Sequence, residues 1–188
     1  MKNAIILHGK PGKDEYYSEQ YPSASNSHWL PWLQKKLLIN NIAAETPEVP
    51  QAYEPIWERW LKEIEHYDIN PKTILVGHSC GAGFWVRYLS ERKELYIDRV
   101  ILVAPWIDAD QEDPNHFFDF TIDTDLVSRT KKLVIFCSNN DGIKIQKSVT
   151  KLRNEIKDVT VREFETKGHF THESMPNNKF PELLEELL

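Results

Sequence analysis

Gly77-His78-Ser79-Cys80-Gly81 places a serine between two glycines at the spacing Gly-x-Ser-x-Gly. The apolar run Thr73-Ile74-Leu75-Val76 precedes it. The small residues Ala82 and Gly83 follow, and then the helix-like stretch Phe84 to Leu89. Strand, pattern and helix together predict a turn sharp enough to force the serine into a strained backbone conformation. Its hydroxyl would then project above a sheet, at the positive end of a helix. Side chains two positions to either side would strike the neighbouring strand and helix, and Gly77 and Gly81 remove them.

A serine hydroxyl is a weak nucleophile at its own pKa. It needs a histidine base, and the histidine needs a carboxylate to hold its tautomer and stabilise its cation. On a parallel sheet such groups belong at the carboxyl ends of strands, in the chain order Ser, Asp or Glu, His. The segment Ser138-Asn139-Asn140-Asp141-Gly142 leaves the fifth expected strand, and Asp141 is its only carboxylate. Taken alone, Asp141 reads equally well as a turn residue capping the next helix. The sixth expected strand runs into Glu165-Thr166-Lys167-Gly168-His169-Phe170. His169, alone, reads as a surface-loop histidine, and His172 is the alternative base. The joint order at successive strand ends selects Ser79, Asp141 and His169 as catalytic candidates.

An oxyanion hole needs two backbone N–H groups, one from the residue after the nucleophile and one from the loop after the first strand. Cys80 fills the first role. Gly9 and Lys10 are candidates for the second, with Lys10 preferred, and Pro11 has no N–H to give. Trp29, Trp106 and Phe170 are candidates for an apolar acyl pocket, although each alone reads as core packing. Among the other histidines, His8 ends a strand beside the site, where it can orient its loop, and His78 packs in the turn. His28, His66 and His116 show no partner pattern.

The elements that must position these groups alternate between strand and helix. Strands are expected at Ala4–His8, Ile42–Glu45, Thr73–Val76, Arg99–Ala104, Lys132–Cys137 and Val159–Phe164. Helices are expected after Ser27, from Pro55, after the Gly-x-Ser-x-Gly turn, over Lys144–Ile156 and over Phe180–Leu188. That alternation implies a parallel sheet with helices on both faces. Lys13 to Ser27 reads as a long polar loop rich in tyrosine. Residues 106–130 form at most a small flap over the site.

The 188 residues fit one domain, 1–188, large enough to bury a core. Lys and Arg total 23 against 29 Asp and Glu, a net charge of −6, which argues against a nucleic-acid surface. Cys80 and Cys137 are too few for a disulfide framework or a four-cysteine metal site and read as reduced thiols of a cytoplasmic protein. No His/Asp/Glu group has metal-ligand spacing, so neither metal nor cofactor is expected. No apolar run reaches membrane-span length.

Gly-His-Ser-Cys-Gly, Ser-Asn-Asn-Asp, Gly-His-Phe and the block Ser27-His28-Trp29-Leu30-Pro31-Trp32-Leu33 together resemble the small serine hydrolases typified by retinoblastoma-binding protein nine. The resemblance implies Ser79 as nucleophile, Asp141 as acid and His169 as base. It implies a reduced α/β-hydrolase fold, six strands in the order 2-1-3-4-5-6, with no large cap. It also implies cleavage of small esters or amides. Two features depart from the family. Asn140-Asp141-Gly142 stands where Asp-Asp-Pro is common, which predicts a more mobile loop, and the tyrosine-rich insertion is long.

The expected function is a monomeric serine hydrolase acting on a small-molecule ester, thioester or amide. A peptidase or acyltransferase would use the same residues. The rival class is a non-catalytic protein-binding member of the fold, although no partner-binding motif is legible.

Overall fold

The computed structural model describes residues 2–188. Six strands form one sheet: β1 (Asn3–Leu7), β2 (Ala43–Glu45), β3 (Thr73–His78), β4 (Ile97–Val103), β5 (Thr130–Ser138) and β6 (Thr160–Phe164). All pairs are parallel, in the order β2-β1-β3-β4-β5-β6. Six helices accompany them: α1 (Lys13–Tyr17), α2 (Leu30–Ile39), α3 (Trp57–Ile64), α4 (Cys80–Glu91), α5 (Ile143–Glu155) and α6 (Pro181–Leu187). The expected fold class and strand order are those observed.

The continuous apolar runs of the central strands serve two cores at once, because successive side chains point to opposite faces. Ile5, Leu7, Leu75, Val100, Leu102, Leu133 and Ile135 pack on one face with Trp60 and Ile64 of α3, Phe84 and Trp85 of α4, and Leu152 of α5. Ala4, Ile6, Ile74, Val76, Ile101, Val103, Val134 and Phe136 pack on the other with Leu30, Leu33 and Leu37 of α2 and Leu183 and Leu187 of α6. The outer strands β2 and β6 are short and partly exposed, and β6 carries Arg162 and Glu163 where an edge benefits from charge.

Two regions differ from expectation. The Lys13–Ser27 stretch is not an open loop. It holds the one-turn helix α1, whose start is closed by the Gly12 N–H donating to Glu15 Oε2 at 3.1 Å, and a 3-10 turn at Ala24–Asn26. Nor do residues 106–130 cover the serine. Phe117 is fully buried against Trp57, Trp60 and Phe84, and Arg87 of α4 donates to the Phe117 carbonyl at 2.6 Å. Apolar burial pulls Phe117 down onto α3 and α4, while Trp106 at the head of the segment stays beside the serine.

Candidate active site

β3 runs directly into Ser79, which holds φ 53° and ψ −117°, a region other side chains rarely adopt. Packing sustains that strain. The Ser79 N–H donates to the Val103 carbonyl at 2.9 Å, and the Ser79 carbonyl accepts the Gly83 and Trp106 N–H groups, each at 3.1 Å. A β-carbon on Gly77 would sit 2.5 Å from the Ala82 backbone, and one on Gly81 would run into the His8 carbonyl oxygen. The two glycines are therefore what lets β1, β3 and α4 converge behind the serine.

The ends of β5 and β6 bring the other two candidates to the same point. Ser79 Oγ lies 2.9 Å from His169 Nε2. His169 Nδ1 lies 2.9 Å from Asp141 Oδ2 and 3.2 Å from Oδ1. Asp141 Oδ1 also accepts the Gly142 N–H at 2.6 Å, and its side chain is only 4 % exposed. With a carboxylate at Nδ1, the imidazole proton belongs there, leaving Nε2 to accept from the serine hydroxyl. Such an arrangement can move a proton from Ser79 to His169. His172, the alternative base, faces His28 instead, with its Nδ1 3.3 Å from His28 Nδ1.

Further contacts hold these residues in place, and those of Asn140, Ser138 and His78 were not foreseen. The expected mobile loop at Asn140 is tied down, because Asn140 Oδ1 accepts the Gly168 N–H at 2.7 Å and Ser138 Oγ accepts the Lys167 N–H at 2.9 Å. These contacts clasp the loop of Asp141 to the loop of His169. His78 Nε2–H donates to the His169 carbonyl at 2.8 Å, which explains a histidine beside the serine. His8 accepts the Val49 N–H at Nε2, 3.0 Å away, so its proton lies on Nδ1 and is donated to the Gly9 carbonyl at 2.7 Å. A trans peptide points its C=O and N–H in opposite directions. Holding the Gly9 carbonyl toward His8 therefore turns the Lys10 N–H away from it. Among the described residues, neither the Lys10 nor the Cys80 N–H donates to another protein group. Gly9 itself touches the site, since a β-carbon there would lie 3.0 Å from Ser79 Cβ.

A cleft of about 280 Å³ opens over Ser79 and His169, lined among others by Lys10, Glu15, Tyr21, His28, His172 and Glu173. It corrects the expected apolar pocket. Trp29 and Phe170 are fully buried and sit in the core with Phe180, 5.8 and 5.4 Å between ring centroids, because their apolar area is worth more there than in a wet cleft. Trp106 is partly exposed, with Lys10 Nζ 5.7 Å from its ring, but it does not line the cleft. Sequence reasoning missed the polar lining because it comes from segments far apart in the chain. The only local signal was the unusual polarity of Lys13–Ser27. Burial pushes the Cys80 thiol far up and the Cys137 thiol to about 11, so both stay protonated.

Burial holds His8 and His78 below the ordinary histidine value of 6.5, opposed at His8 by Glu48 and reinforced at His78 by neighbouring imidazoles. Below about pH 6.5 the unfolded chain therefore binds protons that the fold refuses, and stability falls as pH falls. Each such imidazole costs at most about 1.4 kcal/mol per pH unit in that window. The urea midpoint is expected to drop between pH 7 and pH 5, and a midpoint that holds constant would contradict the neutral burial of these rings.

A family model described as serine hydrolase matches residues 19–187. β1 and the Gly9–Lys10 loop lie outside that span. The chain is 28 % identical over 169 residues to YdeN of Bacillus subtilis (strain 168), which carries a provisional name as a hydrolase, covering 84 % of this chain and 86 % of YdeN. The crystal structure of that gene product superposes with TM-score 0.79 at 23 % identity, covering 100 % of this chain and 97 % of that one. Two further structures share the fold. One, from a study of the metagenome-derived lipolytic enzymes LipS and LipT, has TM-score 0.68 and 14 % identity, covering 98 % of this chain and 91 % of that one. The other, Est1E from Butyrivibrio proteoclasticus, has TM-score 0.64 and 15 % identity, covering 99 % and 86 %. At such identities the likeness is one of α/β-hydrolase fold alone.

Proposed function

The chain belongs to the serine hydrolase family, and from that membership we propose that it cleaves a small ester, thioester or amide through an acyl-enzyme on Ser79. On this reading it is a carboxylesterase-like enzyme, one domain over residues 1–188, with a small-molecule substrate. The observation that carries the reading is the hydrogen-bonded chain from Ser79 Oγ through His169 to a nearly buried Asp141.

His169 Nε2 takes the hydroxyl proton as Ser79 Oγ bonds to the carbonyl carbon, and the carbonyl π pair moves to oxygen. The free Cys80 and Lys10 N–H groups receive that oxyanion. Collapse of the tetrahedral species breaks the bond to the leaving group, which departs with the proton from His169. Water then gives a proton to His169 and attacks the acyl carbon. The Ser79–acyl bond breaks, and Ser79 regains its proton. Throughout, Asp141 holds the Nδ1 proton and stabilises the imidazolium. The cleft's small volume and charged lining support a short acyl group over a long alkyl chain. The buried, unbridged Cys80 and Cys137 support a reducing, cytoplasmic setting.

Labelling with a fluorophosphonate probe, followed by peptide mapping, tests the reading. Modification confined to Ser79 is expected. A folded chain that stays unlabelled would favour the non-catalytic, protein-binding reading. The oxyanion assignment has its own test. His8→Leu releases the Gly9 carbonyl and is expected to lower kcat by about tenfold or more, short of the loss of a whole donor, with KM little changed. A parallel rise in KM, or a kcat equal to wild type in a folded variant, would sink the role of that peptide.

A further inference from the structure

We propose that His28 is a substrate-binding residue of the cleft, donating a hydrogen bond from Nε2 to an oxygen acceptor that the substrate carries near its scissile carbonyl. The inference rests on the hydrolase reading of Ser79.

The backbone at His28 holds φ 58°, in the left-handed region that few residues other than glycine, asparagine, aspartate and histidine adopt. That turn lets consecutive residues do opposite things. Trp29 is fully buried at the start of α2, while His28 lines the cleft with Ser79 and His169. The ring is held on both sides. It stacks on His172 at 5.3 Å and 16°, and meets the edge of His78 at 5.5 Å.

The hydrogen bonds assign its proton. His28 Nδ1 accepts the His172 N–H at 3.2 Å and faces His172 Nδ1 at 3.3 Å. A proton on His28 Nδ1 would set it against that N–H. A neutral imidazole has one proton, so it sits on Nε2. Burial, aided by His172 and His169, pushes the ring's pKa down to about 4, so at neutral pH it is an uncharged donor of fixed direction. Nε2 makes no hydrogen bond to the described residues, nor is it among the buried unpaired polar atoms. It is an open donor on a clamped ring beside the nucleophile. The ligand that satisfies it carries an ether, hydroxyl, amide carbonyl or carboxylate oxygen, in its acyl part or in its leaving group.

The test compares matched esters that differ by one methylene replaced with an ether oxygen, placed in the acyl chain in one pair and in the alcohol in another. Wild type is expected to favour the ether in one pair, which also locates the subsite. His28→Asn tolerates the left-handed backbone and keeps an acceptor at the δ position, but falls short of the Nε2 position. It is expected to cut the ether-to-alkyl ratio of kcat/KM by about tenfold, the scale of one hydrogen bond. His28→Gln restores an N–H at the ε position and should recover part of that ratio. A wild type without preference in either pair, or a His28→Asn that slows both members of a pair equally, overturns the proposal. Fluorophosphonate labelling of every variant separates the failures. Labelled Ser79 with no preference refutes His28 alone, whereas an unlabelled wild type removes the hydrolase reading and this inference with it.

Discussion

Ser79→Ala and His169→Ala are each expected to lower ester turnover by roughly 10⁴-fold or more, with the double variant no worse than either. The hydroxyl and the imidazole share one hydrogen bond of 2.9 Å, so removing either end removes the same proton transfer. Losses that act through one step do not add. Folding should survive both changes. The strain at Ser79 is carried by its backbone bonds to Val103, Gly83 and Trp106, and His169 is partly exposed, with its loop anchored through its carbonyl. Initial rates on a short activated ester, with circular dichroism as the folding control, provide the measurement. His172→Ala should cost far less, since its ring faces His28. A double variant much slower than both single ones would mean that the two residues act in separate steps.

Asp141→Asn is the second large effect, expected at about 10⁴-fold in kcat on the scale of other serine triads. Asp141 is nearly buried and offers one oxygen to the Gly142 N–H and the other to His169 Nδ1. An asparagine that keeps the Gly142 contact with its carbonyl must turn its NH₂ toward His169. That forces Nδ1 to become an acceptor and moves the imidazole proton to Nε2, which then has no lone pair left to take the serine proton. The clasp made by Asn140 and Ser138 does not depend on Asp141, so the loop should hold its place. Activity within tenfold of wild type would mean that Asp141 is not the orienting acid.

The local chemistry at Ser79 was legible because Gly77, Gly81 and the flanking apolar run are all within one strand–turn–helix, where sequence neighbours are spatial neighbours. Strand order beyond simple alternation came only through the family resemblance, since periodicity does not say which strand lies beside which. The cleft was misread for a related reason. Trp29 and Phe170 have the residue type of an acyl pocket, but type does not reveal which side of the backbone a ring leaves. At Trp29 the answer turned on the positive φ of the preceding His28, and Phe170 itself has φ 56°.

From its residues alone the chain determined a two-faced parallel sheet, a serine on a strained turn, and a carboxylate and a histidine at later strand ends in the order such chemistry uses. These are properties of short segments, governed by local sterics and by burial on both faces of a strand. Only the tertiary structure decided what surrounds the serine. It paired His28 with His172 across 144 positions and His78 with the carbonyl of His169 across 91, and it folded the Lys13–Ser27 segment against the cleft. The physical reason is that a hydrogen bond between distant segments depends on the summed geometry of all that lies between them, which no local pattern records.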